Sequence, residues 1–555
     1  MPIQNNWRVY CETEVAYVYD PLWVEEAKPT ECPHSAAHVI DQDATVIASV
    51  AHIPGQRDPT EDDDETLGYV AGDLWINESS GREFTLLDAS EGAAKWSTNK
   101  APEYAIVAPS GGDYTSIAEA FNAGATSVFV HPGMYVETSD IVVPEDGSLK
   151  GPCPGAVKIV LAAGAKIKVD GTGRRTTTGT VSVTAGSATV TGTGTSFTAL
   201  QASDWVQLGN TFYQIDTITN DTSLTLQLTY QGDTISDQAF VGQSMTYGAQ
   251  IEDVVIVGQG GGENLLIEQG LNILFRGLLL LQCGDATTPA FYAKNCSVLM
   301  GLAVIVDSSL ERGIHIEGST ISTFQGCVFK NSVSCGVCIS ESVGITFDAT
   351  FSNHNGTYGF NALSGCDLFQ LNDCTSTWNA EKGVSVDPAA TRVNISDGFY
   401  SYNGGIGIDY DGANCIVSGS TISNNGGDGV SGGDEGVISN CYVEANAGVG
   451  IECSNDSNCA VSSCIIHGNG SHGLTVGPDN AVQGCSISAN GGDGIRVATD
   501  DAVINGCRVS GNDGYGANIT NSASDTILTS CNLKGNTTGS LLDNGTGTIA
   551  TNNKT

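Results

Sequence analysis

One pattern recurs through the second half of the chain and restricts what the chain can fold into. Cys485-Ser-Ile-Ser-Ala-Asn490-Gly-Gly-Asp-Gly494-Ile495 is followed by Cys507-Arg-Val-Ser-Gly-Asn512-Asp-Gly-Tyr-Gly516-Ala517 and preceded by Cys441-Tyr-Val-Glu-Ala-Asn446-Ala-Gly-Val-Gly450-Ile451. Each copy has a small residue, an apolar residue two places on, an Asn at the fifth following place and a Gly at the ninth. The first position falls at Cys327, Thr350, Cys374, Gly398, Ser420, Cys441, Cys464, Cys485, Cys507 and Cys531, at intervals of 21 to 24 residues. Self-similarity at such a period marks a solenoid, in which each unit buries its apolar face only by stacking on the next.

Each unit contains short alternating runs such as Cys485-Ser-Ile and Gly494-Ile-Arg-Val497. Alternation with a period of two means strands. Helical repeats need longer stretches of apolar periodicity, and leucine-rich repeats need a Leu framework; neither is present. The fold expected is therefore all-β, a right-handed parallel β-helix solenoid with coils stacked about 4.8 Å apart. The Cys position should form an inward ladder. Asn355, Asn379, Asn403, Asn425, Asn446, Asn469, Asn490, Asn512 and Asn536 should form a second ladder at a bend, as amides that bond to each other and tolerate the left-handed conformation. The recurring Gly should supply a second unusual backbone position.

Composition narrows the function classes. With 70 Gly, 15% charged residues and a formal net charge of −40, the chain suits a turn-dense β protein. It is a poor partner for nucleic acid or an anionic membrane. No apolar run is long enough to insert in a bilayer, and Met1-Pro-Ile-Gln-Asn-Asn-Trp-Arg8 lacks the pattern of a signal peptide. Of the 18 Cys, seven lie in the inward ladder, where free thiols serve as small hydrophobes; reduced cysteines are the expectation.

The chain divides into segments. Residues 1–52 form a separate N-terminal segment. Its Cys11, Cys32, His34 and His38 have the ligand types of a zinc site, but the spacing lacks a tight knuckle; buried Cys in a small packed domain is the other reading. In residues 53–101, Gly68-Tyr-Val-Ala-Gly-Asp-Leu-Trp-Ile-Asn77 and Gly81-Arg-Glu-Phe-Thr-Leu-Leu-Asp88 read as strands joined by the turn Asn77-Glu-Ser-Ser-Gly81. Residues 103–171 begin the solenoid with a short helix around Ser116-Ile-Ala-Glu119, a capping-box spacing. Residues 172–246 interrupt it with alternating strands that suggest an inserted small β-barrel or sandwich. Coils resume over 247–545, and 546–555 read as a C-terminal tail. The apolar coils at Ile273–Leu281 and Val298–Val306 are candidates for facing another chain.

Several of these stretches carry a resemblance. Residues 53–101 resemble hairpin modules of phage tail fibre and tailspike proteins. The order helix, Ser127-Val-Phe-Val130, His131-Pro-Gly-Met-Tyr135 is similar to the opening of pectate-lyase-like and pectinesterase-like β-helix proteins, and residues 172–246 resemble modules of phage structural proteins. The resemblance implies a virion surface tailspike or receptor-binding protein. Such a protein is made in the host cytoplasm and assembled as a homotrimer. Its N-terminal segment docks on a portal, tail or capsid protein, and it recognises a host surface polysaccharide. A purely structural decoration protein is the bland alternative.

The site residues follow from the repeat. Outward positions on the recurring strand are the first and third after the ladder residue, with the bend at the fourth. Phe351, Trp378, Phe399, Tyr402 and Tyr442 occupy them on neighbouring coils, with Glu444 and His467 nearby. Clustered exposed rings mark contact with something, either the apolar face of a sugar or the seam of a trimer. For the alternative of a polysaccharide depolymerase, lyase or glycoside hydrolase, two carboxylates roughly 5–9 Å apart are needed. Asp373 and Asp397 are the weak candidates, each one residue before the ladder. Asp428 and Asp493 lie in Asn-Gly-Gly-Asp-Gly turns, where Asp serves the backbone. Polygalacturonase-like enzymes carry Asn-Thr-Asp, Asp-Asp, Gly-His-Gly and Arg-Ile-Lys signatures; here Asp500-Asp501 stands alone and Ser471-His472-Gly473 matches only half of one. No cofactor and no metal are expected.

Overall fold

A computed structural model describes residues 105–170, 173–209, 211–454 and 457–555, together with the strands and a few further positions of the first hundred residues. It divides into two compact units, Met1–Thr115 with Ala123–Val128, and Ser116–Asn122 with Phe129–Thr555. In the first unit, Asn5–Cys11 pairs antiparallel with Ala16–Val18, Val24–Glu25 and Ile40–Ile47. A separate four-stranded sheet runs His52–Gly55, Leu74–Asn77, Arg82–Asp88 and Lys95–Thr98. Within it Leu74–Asn77 pairs antiparallel with Arg82–Asp88, Asn77 opposite Arg82; residues 78–81 lie outside the described residues. The side chains of Cys11, Cys32, His34 and His38 lie outside the described residues.

The second unit is an all-β, right-handed parallel β-solenoid. One coil shows the plan: Ile416–Ser418 lies in a first sheet, Thr421–Ser423 in a second and Val430–Ser431 in a third. Each strand pairs in parallel with its equivalent one coil away, as Ile416 does with Val437, Thr421 with Tyr442 and Val430 with Ile451. The second and third sheets run to 14 and 15 strands. Three-residue strands of the first and second sheets bury their middle residue, whereas those of the third, such as Ile451–Cys453 and Ile495–Val497, bury the first and last. The core is a column of Ile, Val and Leu with Phe275, Phe324, Phe347 and Phe360 in its early coils.

The recurring small residue is inward throughout: Cys327, Thr350, Cys374, Ser420, Cys441, Cys464, Cys485, Cys507 and Cys531 are all buried. The Asn ladder is continuous. Asn379 Nδ2 donates to Asn403 Oδ1 at 2.9 Å, and the same oxygen accepts the Asn379 backbone N–H at 3.1 Å. This arrangement repeats to Asn512 on Asn536. Two expected reasons need correction. The ladder Asn residues are not left-handed; the residue before each one is, as at His354, Trp378, Tyr402, Asn424, Ala445 and Ala489. The recurring Gly is not there for its backbone angle either. A Cβ on Gly407 would sit 2.7 Å from both Asn425 Nδ2 and the Gly429 carbonyl, so Gly makes room for the ladder.

The helix is Ile117–Asn122. Ser116 Oγ accepts the Glu119 N–H at 3.2 Å, half of the expected capping box. The other cap is buried Glu137, whose carboxylate accepts from Ile117 N–H at 2.6 Å and from Ser116 Oγ–H at 2.7 Å. Between Asp170 and Thr246 the chain leaves the coils for an eight-stranded antiparallel sheet with its own core of Val190, Phe197, Val206, Leu224 and Phe240. The excursion leaves the stacking intact, since Leu149 still pairs with Ile251 and Ile159 with Ile256. The last ten residues are no loose end. Ile549–Thr551 pairs in parallel with Ile527–Thr529, and Asn553 Oδ1 accepts the Cys531 N–H at 2.8 Å.

Candidate functional site

The repeat assigns each candidate residue to a column. On the second sheet, Phe351, Thr375, Phe399, Thr421, Tyr442 and Ile465 stack in register as the first outward residue of successive strands. Phe351 and Phe399 are exposed, with Thr375 between them, and Tyr442 is half-buried. The third outward residue gives Asn353, Thr377, Ser401, Ser423, Glu444 and His467 in the same order. Tyr442 donates its hydroxyl to Glu444 at 2.8 Å, and that bond holds the phenol above its usual pKa. His467 Nδ1 lies 3.0 Å from Ser488 Oγ.

Trp378 and Tyr402 sit one residue beyond the second sheet, on the left-handed bend, with φ of 58° and 57°. Their rings stack at 4.6 Å between centroids and 5° between planes; His354 stacks on the other side of Trp378 at 6.2 Å and 15°. Trp378 is 54% exposed and Tyr402 47%. A bulky L-residue in this conformation costs on the order of 1–2 kcal/mol, and later coils place the smaller Asn424, Ala445, Gly468, Ala489 and Gly511 here. Rings that stack along the solenoid cover each other's faces. On the coils beyond, the position is Asn331 before His354 and Asn424 after Tyr402, so the outer faces of His354 and Tyr402 have no ring against them. The sequence reading singled out Trp378 and Tyr402 but missed His354, which shared their place in the repeat.

The weak catalytic candidates stay apart from this site. Asp373 and Asp397 are exposed, left-handed turn residues between the first and second sheets. Asp428 Oδ1 accepts the Val449 N–H at 2.6 Å and Asp493 Oδ1 the Tyr515 N–H at 2.8 Å, each serving the backbone of the next coil. His472 Nδ1 lies 3.6 Å from the Asp493 carboxylate. Among the described residues no cluster of His, Cys, Asp and Glu could hold a metal ion.

A second group of polar side chains escaped the sequence reading. On the outer face of the third sheet, Tyr292 stacks on His315 at 5.2 Å and 9°, and the Tyr292 hydroxyl donates to Glu317. Arg312 Nη1 lies 3.2 Å from His315 Nδ1 and Ser340 Oγ 3.1 Å from His315 Nε2. A guanidinium only donates, so Nδ1 accepts and the ring proton sits on Nε2, facing Ser340. The histidine therefore cannot take a proton from Ser340, and the pair is no nucleophile. Burial, then the Arg312 charge, brings the His315 pKa down to about 4. The same two columns hold the Cys335–Cys338 disulfide, with a Cα–Cα distance of 6.3 Å. It departs from the expectation of reduced cysteines because three residues separate two side chains that meet across the entry to the third sheet. Fourteen described cysteines are free.

The family model for the right handed beta helix region matches residues 312–478 and 404–555. Residues 312–555 carry a right-handed β-helix region. Comparison with curated proteins gives no match. Among solved structures, the chain is similar to the A-module of Azotobacter vinelandii mannuronan C-5 epimerase AlgE6, at 13% identity over 79% of this chain and 93% of that one, with a TM-score of 0.38. It is similar to the tailspike gp61 of Pseudomonas phage phi297 at 12% identity, covering 75% and 72%, TM-score 0.43. A third is the Gp54 tailspike of Acinetobacter baumannii bacteriophage AP22, solved with a capsular saccharide, at 11% identity, 73% and 75% coverage and a TM-score of 0.36. No function follows from likenesses of that size.

Proposed function

We propose that this chain is a virion surface protein that recognises a host cell-surface glycan through the outer side of its second sheet and the bend that follows. The carrying observation is the His354–Trp378–Tyr402 stack, held half-exposed on a left-handed backbone beside Phe351 and Phe399. A sugar ring presents an apolar C–H face and a polar rim. The outer face of Tyr402 suits the first, and exposed Asn424 beyond it, with Thr377 and Asn353 alongside, suits the second. Neutral polar neighbours favour a glycan whose contacted units are uncharged, since a chain of net charge −40 repels an acidic polymer. In this reading residues 1–101 attach to a portal, tail or capsid protein, and copies of the chain associate, most simply as a homotrimer. No helix among the described residues is long and apolar enough to cross a membrane.

The test is a glycan array drawn from bacterial surface polysaccharides, followed by titration of any hit against Trp378→Ala and Tyr402→Ala. The expected result is a saccharide hit weakened at least tenfold by either change, with unchanged circular dichroism. A chain that binds no saccharide, or binds one equally well without both rings, sinks the proposal.

A further inference from the structure

Beyond the aromatic columns, a second surface becomes visible only once the register of the first sheet is known. Its first outward residues on successive coils are Ile416, Val437, Ala460, Ala481, Val503, Ile527 and Ile549. Ile416, Val437, Val503 and Ile549 are exposed. The third outward residues, from Ser418 to Thr551, are Ser, Gln, Asn and Thr. From Gln370 to Thr551 no outward residue of this sheet carries a charge; the last one before that is Asp348. In a chain with 62 acidic residues, such a long uncharged aliphatic stripe needs a cause. Lone exposed apolar residues need none, but a contiguous row marks an interaction surface.

We infer that this stripe is where copies of the chain meet, side by side, parallel and with equal coils at equal height. Two observations select a second copy as the occupant. Copies of net charge −40 repel each other over most of their surface, and the stripe is where they can approach without bringing like charges together. Its apolar side chains recur with the coil spacing of about 4.8 Å, and a second copy of the same solenoid presents that period for the whole length. The turn leading into the stripe carries Glu435, Asp479, Asp501 and Asp525, whereas the turn leaving it carries Gly419, Asn440, Ser463, Gly484 and Ser530. The uncharged turn is the side on which the contact broadens. Seven coils give a stripe about 30 Å long. It reaches the roughly 800 Å² per partner of a stable complex only if the contact is about 25 Å broad, so the stripe is the centre of the seam and its uncharged flank the remainder. The parallel sense rests on the proposed attachment through residues 1–101, which places every N-terminus at one end.

The full chain is weighed by light scattering after size exclusion, as wild type and as the Val437→Asp/Val503→Asp double variant. An oligomer that the double variant converts to monomer, with unchanged circular dichroism, is the expected result. Because the double variant could fail for other reasons, Ala460→Cys in a Cys11→Ser/Cys32→Ser/Cys153→Ser background, which removes the one exposed free thiol among the described residues and the two of the N-terminal segment, supplies the second reading. In-register parallel copies bring residue 460 of each against the other, so mild oxidation cross-links them on a denaturing gel. A wild type that is monomeric overturns this inference and the self-association part of the proposed function together. An oligomer indifferent to the double variant overturns the stripe alone. An oligomer that Ala460→Cys does not cross-link overturns the parallel arrangement.

Discussion

Replacing Asn446 with Ala tests whether the Asn ladder holds the bends or merely fills them. Asn446 Oδ1 accepts the Asn425 backbone N–H at 3.1 Å and the Asn425 Nδ2–H at 2.8 Å. Its Nδ2 donates to the Ile422 carbonyl at 3.1 Å and to Asn469 Oδ1 at 3.0 Å. Alanine removes all four bonds, but the losses are unequal. The Asn425 Nδ2 keeps its 2.9 Å bond to the Tyr400 carbonyl, and Asn469 Oδ1 keeps the residue-446 backbone N–H at 3.0 Å. The Asn425 backbone N–H, buried and without another acceptor, loses its only partner. That orphan costs about 1–3 kcal/mol and the three remaining bonds about 0.5–1 each, so about 2.5–6 kcal/mol is expected. A long solenoid opens in pieces rather than as one two-state unit, so global melting is the wrong readout. Native-state hydrogen exchange at the Asn425 amide reads the right event. Its opening constant should rise by roughly 10²–10⁴, at 1.4 kcal/mol per factor of ten. A rise below tenfold would mean the bend is held by strand pairing and core packing, and that the ladder is a consequence of the coil rather than a cause.

Two glycines separate the roles assigned to them. Gly407→Ala drives a Cβ to 2.5 Å from Ile422 Cγ2 and 2.7 Å from the ladder amide, and should cost at least about 2 kcal/mol in local exchange free energy. Gly468→Ala meets nothing within 4 Å, and its φ of 64° is matched by Ala445 and Ala489 in the same column; it should cost only the left-handed backbone strain, about 1–2 kcal/mol. His315 predicts a pH dependence. Its pKa falls to about 4 in the folded chain from about 6.5 when unfolded, so the unfolded chain binds more protons between these values. Stability from this group is complete above about pH 6.5 and declines as pH falls toward 4, by up to about 3 kcal/mol. The local opening free energy of the Ile314–Glu317 amides, read by native-state hydrogen exchange, should show a flatter pH profile across that window in His315→Gln, and an unchanged slope would refute the assignment.

The sequence made the coil legible because a repeat of about 22 residues leaves few ways to bury its apolar positions. Cys441 and Cys464 read as inward, and Phe351 and Phe399 as outward, from alternation alone. Causes that depend on contact between coils were not legible. That Gly407 yields space to Asn425, rather than adopting an unusual φ, depends on how close the next turn comes. Glu137 as the cap of the Ile117–Asn122 helix lies 20 residues from the N–H it accepts. The Tyr292–His315 stack joins residues 23 apart on the third sheet, where the sequence pattern is weakest. The stripe could be aligned from the repeat, since Ile416, Val437, Ala460, Ala481, Val503 and Ile527 each stand four residues before a ladder residue; that these positions point outward from a sheet of their own depends on the parallel pairing of those strands.

The His354–Trp378–Tyr402 stack with Phe351 and Phe399, and the aliphatic stripe, occupy different sheets and different coils, and this makes their functions separable. The aromatic residues of the stack and of the adjoining column, Phe351 to Tyr402, lie on the second sheet and its trailing bend, whereas the aliphatic stripe begins at Ile416 on the first sheet. A partner seated on the stripe need not cover Trp378 or Tyr402. Trp378→Ala/Tyr402→Ala should therefore remain oligomeric while losing saccharide, and Val437→Asp/Val503→Asp should become monomeric while keeping its affinity for a single soluble oligosaccharide. On a surface densely coated with the glycan, the monomer forfeits multivalency, which typically adds 10²–10⁴ to apparent affinity. Calorimetry with the free oligosaccharide and surface binding to the immobilised polymer distinguish these effects. If Val437→Asp/Val503→Asp lost single-site affinity as well, the binding site would be shared between copies, and the aromatic columns would be only half of it.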